Sequence, residues 1–397
     1  MTQRELFFQH VAQTSPAPLA LEIERAEGCR LWDASGKSYL DLIAGISVSQ
    51  TGHRHPKVIY AIQQQLDRYL HLMVYGELIQ SPQVQYAELL TKHLPASLNS
   101  VYFTNSGTEA TEGAMKLAKR VTGRTDIVAF KNSYHGSTQG ALSIMGDEEF
   151  KNAFRPLLPG IIHANYNDEK AIDFITEHTA CVVAETIQAE VGVNAPLKSW
   201  IKSLREKCTQ TGTLLILDEI QCGFGRNGSL WAFEQFDIVP DILLLGKALG
   251  GGMPLGAFIA DQKRMNQLTH QPVLGHITTF GGHPVSCAAG MAAMNVLLDD
   301  QLIESVHSKE FFFRSGLQHS MIKSLRSRGL MMAVEFESFE VCKQVIDLCI
   351  QKGVLTDWFL FAPHCLRIAP PLIITEEEIR EACDVILSVL DQLSKSS

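Results

Sequence analysis

Two residues of this chain join ionisable chemistry to an apolar setting: Lys247 and Asp218. Lys247 follows the short apolar run Asp241-Ile-Leu-Leu-Leu-Gly and opens Lys247-Ala-Leu-Gly-Gly-Gly. That places it at the carboxyl end of a predicted buried strand, beside glycines that let a ligand approach the backbone. Burial disfavours the ammonium and shifts the side chain toward a neutral, nucleophilic amine. Asp218, 29 positions earlier, ends the apolar run Thr213-Leu-Leu-Ile-Leu-Asp218 in the same way and leads into Glu219-Ile-Gln221. The amine can capture a carbonyl covalently, and the carboxylate can hold a cation beside it.

Upstream, Asn99-Ser-Val-Tyr-Phe-Thr reads as a strand, followed by Asn105-Ser106-Gly107-Thr108. The next residues place Ala110, Ala114, Met115, Leu117, Ala118 and Val121 on one helical face. A strand, a small hydroxyl-and-glycine turn and a helix N-terminus together make an anion site from free backbone N–H groups. Singly, these features have ordinary uses as a strand-to-helix turn, a helix cap or a salt-bridge partner. Together, the amine, the acid and the phosphate cradle are the set that pyridoxal phosphate (PLP) requires.

These groups need a scaffold to bring them together. From about residue 80 to 290, predicted strands at 99–104, 126–130, 180–186, 213–218, 241–245 and 255–260 alternate with helical periodicity at 83–93, 108–121 and 198–210. Such alternation predicts an α/β fold with a mostly parallel sheet covered on both faces. Ligands of such sheets bind beyond the carboxyl ends of the strands, where Ser106, Asp218 and Lys247 all fall. The flanks differ: residues 20–45 read as a small meander, and 283–320 as a long helical stretch. The tail reads as strand 329–336, helix 338–352, strand 365–369 and helix 375–394. The predicted division is an N-terminal segment, 1–50, a large domain, 51–290, and a C-terminal part, 291–397, the two ends joining in a small α/β domain.

The 397 residues are 46% hydrophobic and 19% charged, enough for a substantial core. A net charge of -9 with no basic run argues against nucleic acid. Nine cysteines without a CxxC pair suit free thiols in a reducing compartment. The N-terminus lacks the continuous apolar core of a signal peptide, and no run is long enough to span a bilayer. A cytoplasmic protein with no membrane partner is expected.

With these residues in hand, the chain resembles the class III (subgroup II) PLP-dependent aminotransferases, especially the acetylornithine and ornithine aminotransferase branch. The resemblance runs from about Gly28 to the C-terminus and is most specific in Leu217-Asp-Glu-Ile-Gln-Cys-Gly-Phe-Gly-Arg226 and Pro240-Asp-Ile-Leu-Leu-Leu-Gly-Lys-Ala-Leu-Gly-Gly-Gly252. Gly52-His-Arg-His-Pro56, Asn105-Ser-Gly-Thr-Glu-Ala, Tyr134-His-Gly136, Glu185-Thr-Ile-Gln-Ala-Glu190, Thr279-Phe-Gly-Gly282 and Leu366-Arg-Ile-Ala-Pro-Pro-Leu372 support it.

The resemblance implies PLP-transferase fold type I, with a seven-stranded, mostly parallel sheet and a small domain from both chain ends. It implies that Lys247 is the Schiff-base lysine and proton carrier, and that Asp218 pairs with the pyridine nitrogen. Gln221 would reach the ring hydroxyl and Tyr134 would stack on the ring, with His135 and Glu185 also in the cofactor site. Ser106, Gly107 and Thr108 would hold the phosphate, joined by Thr279 of a partner subunit, which implies a homodimer with shared active sites. Arg367 matches the arginine that receives a substrate carboxylate, where a planar fork binds bidentately. Glu190 matches an acid that pairs with this arginine while a donor lacking a second carboxylate is bound. The branch has an arginine directly after the aromatic-X-Gly turn, whereas this chain has Ser137, so a carboxylate contact used by those enzymes is missing or supplied elsewhere. Trp358 and Phe359 stand where they can line an altered pocket.

The expected activity is transfer of an amino group, from an ω-amino acid or diamine such as ornithine or acetylornithine, to a 2-oxo acid such as 2-oxoglutarate. An aminomutase or decarboxylase of the same fold is the nearest alternative, and an aminomutase would turn over one substrate without an added acceptor. A non-catalytic PLP-binding protein is a further alternative, opposed by the presence of both Lys247 and Asp218. A nucleotide-binding protein using Gly250-Gly-Gly252 is disfavoured, because no GxxxxGK[ST] or GxGxxG pattern follows a strand. No metal site is expected.

Overall fold

The computed structural model describes residues 1–395. An N-terminal meander, β1 (Ile23–Glu27), β2 (Arg30–Asp33) and β3 (Ser38–Asp41), precedes the central strands β4 (Ser100–Thr104), β5 (Asp126–Phe130), β6 (Ile161–Ala164), β7 (Thr179–Glu185), β8 (Leu214–Asp218), β9 (Ile242–Leu245) and β10 (Gly256–Ala260). The C-terminal strands are β11 (Ser324–Arg328), β12 (Met331–Glu335), β13 (Val354–Leu355), β14 (Trp358–Phe359) and β15 (Ala362–Ile368). Three sheets result.

The central sheet has seven strands in the order β4-β10-β9-β8-β7-β5-β6, with β10 antiparallel to both neighbours and the other pairings parallel. Its strands are nearly continuous apolar runs because both faces are covered. Alternate residues divide between the two faces. Val183, Ile216 and Leu244 share one cluster with Ala110, Ala114 and Leu117 of helix Gly107–Thr122, while Val182, Leu215 and Leu243 share the other with Trp200 and Trp231. Register sets the chemistry: Glu185 lies opposite Asp218, and Asp218 opposite Leu244, so both acids and the approach to Lys247 reach one level at the carboxyl edge.

The two chain ends meet at β13, which pairs parallel with β3 and completes a sheet of order β1-β2-β3-β13. The third sheet, β11-β12-β15-β14, carries Arg367 on β15 opposite Ala333 of β12. Helix Glu376–Ser394 covers this region, its start fixed by a reciprocal Thr375–Glu378 capping box.

Two expectations needed revision. The helical stretch at 283–320 is two helices, Pro284–Asp299 and Val306–Gly316, separated by a turn in which Gln301 takes φ 53°. The sequence reading also passed over β6 and β11. Both are edge strands, the first only four residues long and the second a half-buried, mostly polar Ser-Leu-Arg-Ser-Arg, so neither presents the continuous apolar run of the central strands.

Candidate active site

The lysine, the acids and the cradle converge on a cavity of about 320 Å³ lined by Gly107, Thr108, Tyr134, His135, Gly136, Ser137, Glu185, Asp218, Gln221 and Lys247, among others. Lys247 begins a short 3-10 turn with φ 48°, a left-handed conformation that is unusual outside glycine and turns its side chain off the strand axis. Its Nζ donates to Gln221 Oε1 at 2.8 Å. Burial lowers the Lys247 pKa, against the opposing pull of Glu190, so the amine is easier to deprotonate than a free lysine.

Asp218 is buried at the end of β8. One oxygen accepts from the backbone N–H of Ile220 at 2.9 Å, and the other lies 2.7 Å from His135 Nδ1. Burial opposes a charge on His135, but the hydrogen bond and charge of Asp218 outweigh it and raise the imidazole pKa. Glu185 accepts from the backbone N–H groups of Tyr134 and Ala189, both at 3.0 Å. Burial, reinforced by neighbouring Asp218, holds Glu185 up at about 7 although His135 pulls it down. Glu185 thus ties the Tyr134 loop to β7.

Helix Gly107–Thr122 starts with Ser106 as N-cap, whose Oγ accepts from the Glu109 N–H. Ser106 therefore fixes the helix start and does not line the cavity; Gly107 and Thr108 do. Thr138 Oγ1 donates to Glu112 at 2.6 Å and lies 2.7 Å from Thr108 Oγ1, so the Thr108 hydroxyl donates to Thr138 and leaves its backbone N–H for an anion. Gly136, at φ 123°, passes so close that a Cβ there would lie 2.2 Å from Thr108 Oγ1. Tyr134 Oη lies 3.2 Å from Ser137 Oγ on the cavity wall.

A second cavity, of about 550 Å³, shares Lys247 and Tyr134 with the first and reaches Glu190, Asp357 and Arg367. Arg367 donates through Nη1 and Nη2 to the two oxygens of Glu190 at 3.0 and 2.9 Å, and stacks over Phe359 at 4.4 Å. Glu190 is buried, yet the charge and hydrogen bonds of Arg367 outweigh burial and hold it down at about 2. Gln221 Nε2 lies 3.3 Å from Glu190 Oε1, so Lys247, Gln221, Glu190 and Arg367 form one hydrogen-bonded chain.

All the expected site residues but two line one of these cavities: Ser106 caps the helix, and Thr279 is exposed in a turn outside both linings. Trp358 lines the second cavity, whereas Phe359 is core beneath Arg367. Sequence reasoning missed three contributors. Asp357 lies 2.9 Å from Arg367 Nε, Ser15–Leu19 forms part of the wall, and Ile46 enters through a left-handed run, Ala44 to Ser47, with φ from 46° to 63°. Ser15-Pro-Ala-Pro18 carries no ionisable side chain, and the partner of Asp357 lies on the next strand, so neither carried a signal.

These residues fit a phosphorylated pyridine aldehyde. The amine, the buried acid and the anion-binding helix start face one cavity, and Gly107 belongs to a tight junction where a Cβ would lie 2.7 Å from Ile220. The family model for Aminotransferase class-III matches residues 11–390. The chain belongs to the class III aminotransferases. An acetylornithine aminotransferase of Methanopyrus kandleri is 40% identical over 388 residues, covering 96% of this chain and 97% of that protein. Ornithine aminotransferase 1 of Staphylococcus aureus is 38% identical, covering 92% and 93%. Among solved structures, the ornithine aminotransferase of Toxoplasma gondii superposes with a TM-score of 0.91 at 31% identity, covering 100% of this chain and 97% of that one. This class III aminotransferase has the α/β architecture of PLP fold type I, uses pyridoxal 5'-phosphate and catalyses transamination. No helix among the described residues is long and apolar enough to cross a membrane.

Proposed function

We propose that this aminotransferase moves the terminal amino group of an ω-amino acid or diamine, such as ornithine or acetylornithine, to a 2-oxo acid such as 2-oxoglutarate. PLP, when bound, supplies an aldehyde that receives the amino group and a protonated ring that takes up electrons. Lys247 would hold the aldehyde end, and its Nζ, 2.8 Å from Gln221 Oε1 and easier to deprotonate than a free lysine, can take and return a proton. Asp218, held by His135 and the Ile220 N–H, keeps the ring nitrogen protonated. Gly107 and Thr108 offer backbone N–H groups to the phosphate, Tyr134 covers the ring, and Gln221 carries hydrogen bonding from Lys247 to Glu190.

The observation that carries the donor assignment is the closed Glu190–Arg367 pair one hydrogen-bonded step beyond Gln221. A terminal amine brings no carboxylate beside its reacting carbon, so Glu190 stays on the arginine. A 2-oxo acid does bring one, and takes the same fork when Glu190 moves aside. Ser137 adds no second cation at the Tyr134 turn. The test is a half-reaction screen: the PLP-loaded protein is mixed with single amines and no acceptor. Terminal diamines and ω-amino acids should bleach the cofactor's visible absorbance faster than α-amino acids; the reverse ranking refutes the assignment.

The same reading makes the enzyme a cytoplasmic homodimer with shared sites. Exposed Ile277 and Phe280 flank Thr279 in the chain, exposed Leu72, Met73 and Ile79 follow His71, and His71 packs on Phe280 at 4.7 Å, so the two apolar segments meet in a surface that a second subunit would cover. Nine buried, unpaired cysteines suit a reducing cytoplasm. The division into 1–50, 51–290 and 291–397 is part of this proposal, with Arg367 reaching the site from the small domain.

A further inference from the structure

Arg367 faces two acids. Glu190 takes the Nη1/Nη2 end of the guanidinium, Asp357 stands 2.9 Å from Nε, and the Trp358 carbonyl accepts from Nη2 at 3.2 Å. Arg367, Glu190 and Asp357 line the same cavity, whose wall also includes Lys247 and Lys343. The Asp357 contact is close but not aligned as a hydrogen bond, since neither Arg367 Nε nor Asp357 Oδ1 has a well-directed partner. Asp357 thus acts on the arginine through its charge, while Glu190 acts through a directed fork.

Counting charges around the guanidinium separates two states. With Glu190 in place, two carboxylates surround one cation, for a local charge of about -1. Once Glu190 swings away, Asp357 still neutralises the arginine, so an arriving carboxylate meets a pair of about zero net charge instead of a free cation. Both acids have anchored backbones, the Asp357 carbonyl accepting from the Arg367 N–H at 2.8 Å and the Glu190 carbonyl from the Phe361 N–H at 2.9 Å, but Asp357 has one methylene fewer to swing on and its chain continues directly into β14, so it stays beside the guanidinium when Glu190 moves. The side-on edge of the guanidinium, Nε with Nη2, is occupied by Asp357 and the Trp358 carbonyl, leaving only the end-on fork for a ligand.

We propose that Asp357 is a specificity-determining residue that weakens capture of any carboxylate by Arg367 and so favours substrates with no carboxylate beside the reacting carbon, namely terminal amines and their aldehydes. The rest of the cavity wall agrees, since Leu19, Ile46, Trp358 and Leu360 give it an apolar body suited to an alkyl chain. Burial raises Asp357 to about 6 despite the opposing charge of Arg367, which leaves it ionised in mildly alkaline buffer. This inference rests on the reading of Arg367 as the carboxylate anchor.

The test compares wild type, Asp357→Asn, Arg367→Ala and the double variant, each loaded with PLP and assayed in mildly alkaline buffer. Because the PLP-loaded enzyme holds no amino group to transfer, calorimetry reads 2-oxoglutarate binding without turnover. Asp357→Asn should tighten that binding on the order of tenfold, as expected when the carboxylate that neutralises the guanidinium is removed and its full charge is left for the ligand. In the Arg367→Ala background the gain should vanish, because the effect passes through the guanidinium. Steady-state kinetics should show KM for 2-oxoglutarate falling relative to KM for succinic semialdehyde, which lacks the carboxylate beside the carbonyl. Unchanged or weaker 2-oxoglutarate binding in Asp357→Asn, or a gain that survives in Arg367→Ala, overturns the proposal. A terminal-amine half-reaction that fails while the calorimetric gain appears counts against the donor assignment and leaves Asp357 in its role.

Discussion

Replacing Arg367 with alanine should separate 2-oxo acids from aldehydes. The substitution removes the fork that now holds Glu190 at 3.0 and 2.9 Å and leaves Glu190 and Asp357 as two buried acids without their shared cation. Breaking such a buried pair from one side costs about 3–5 kcal/mol of stability, so the variant should melt earlier but still fold in a chain of this size. For a ligand carboxylate, two charge-assisted hydrogen bonds are lost, each contributing about 1.5–3 kcal/mol. In the native enzyme the ligand must displace Glu190 from the same fork, so the realised loss lies near the lower bound of that sum, about 3 kcal/mol, or roughly a hundredfold in kcat/KM. Succinic semialdehyde is 2-oxoglutarate without the carboxylate beside the carbonyl, and its kcat/KM should change by less than about threefold. The assay is steady-state kinetics with each acceptor at fixed donor, with thermal melting as the control for folding. Equal losses for both acceptors would refute the placement of that carboxylate on Arg367.

Three further outcomes follow from other parts of the site. Gly136→Ala forces a Cβ to within 2.2 Å of Thr108 Oγ1 at φ 123°, and strain of about 1–3 kcal/mol should weaken PLP affinity at least about fivefold; titration of the cofactor-free protein with an affinity equal to wild type would refute the coupling of this turn to the cradle. Burial holds Glu219 up at about 7 against an ordinary 4.5, so the folded chain binds this proton more tightly than the unfolded chain. Its stabilising contribution is therefore complete below the unfolded value and lost as pH rises through about 7, and Glu219→Gln should flatten the fall of Tm between about pH 5 and 8; an unaltered slope would contradict the assigned shift. Mixing Lys247→Ala and Thr279→Ala chains should restore about a quarter of wild-type activity, because each mixed dimer keeps one site with neither lesion; exchange of subunits without recovery would show that Thr279 serves no partner site.

The central sheet was legible because its chemistry is local. The run Leu214–Asp218 is apolar throughout and ends in an acid, and the turn at Ser106 carries its own cap, so strand, boundary and candidate site residue all lie in one short segment. Lys247 was legible for the same reason. The substrate cavity was not, because its wall joins Ser15–Leu19 and Ile46 to Trp358, more than three hundred residues away, an approach that depends on the pairing of β3 with β13. Ile46 adds a further obstacle: a β-branched residue at φ 63° runs against local preference and is held there by tertiary contacts. The pairing of Asp357 with Arg367 crosses a turn within one small sheet, and the aromatic residues between them drew the reading toward core instead of charge.

The most direct test of the account is borohydride reduction of the PLP-loaded protein followed by peptide mapping. Among the described residues, the single amine lining the cofactor cavity is Lys247, 2.8 Å from Gln221 and near the buried acid Asp218, so the pyridoxyl group should be found on the peptide carrying Lys247. Lys247→Ala should abolish that label while still binding the cofactor through the cradle. A pyridoxyl adduct on any other lysine, or an undiminished label in Lys247→Ala, would contradict the assignment of this cavity as the active site.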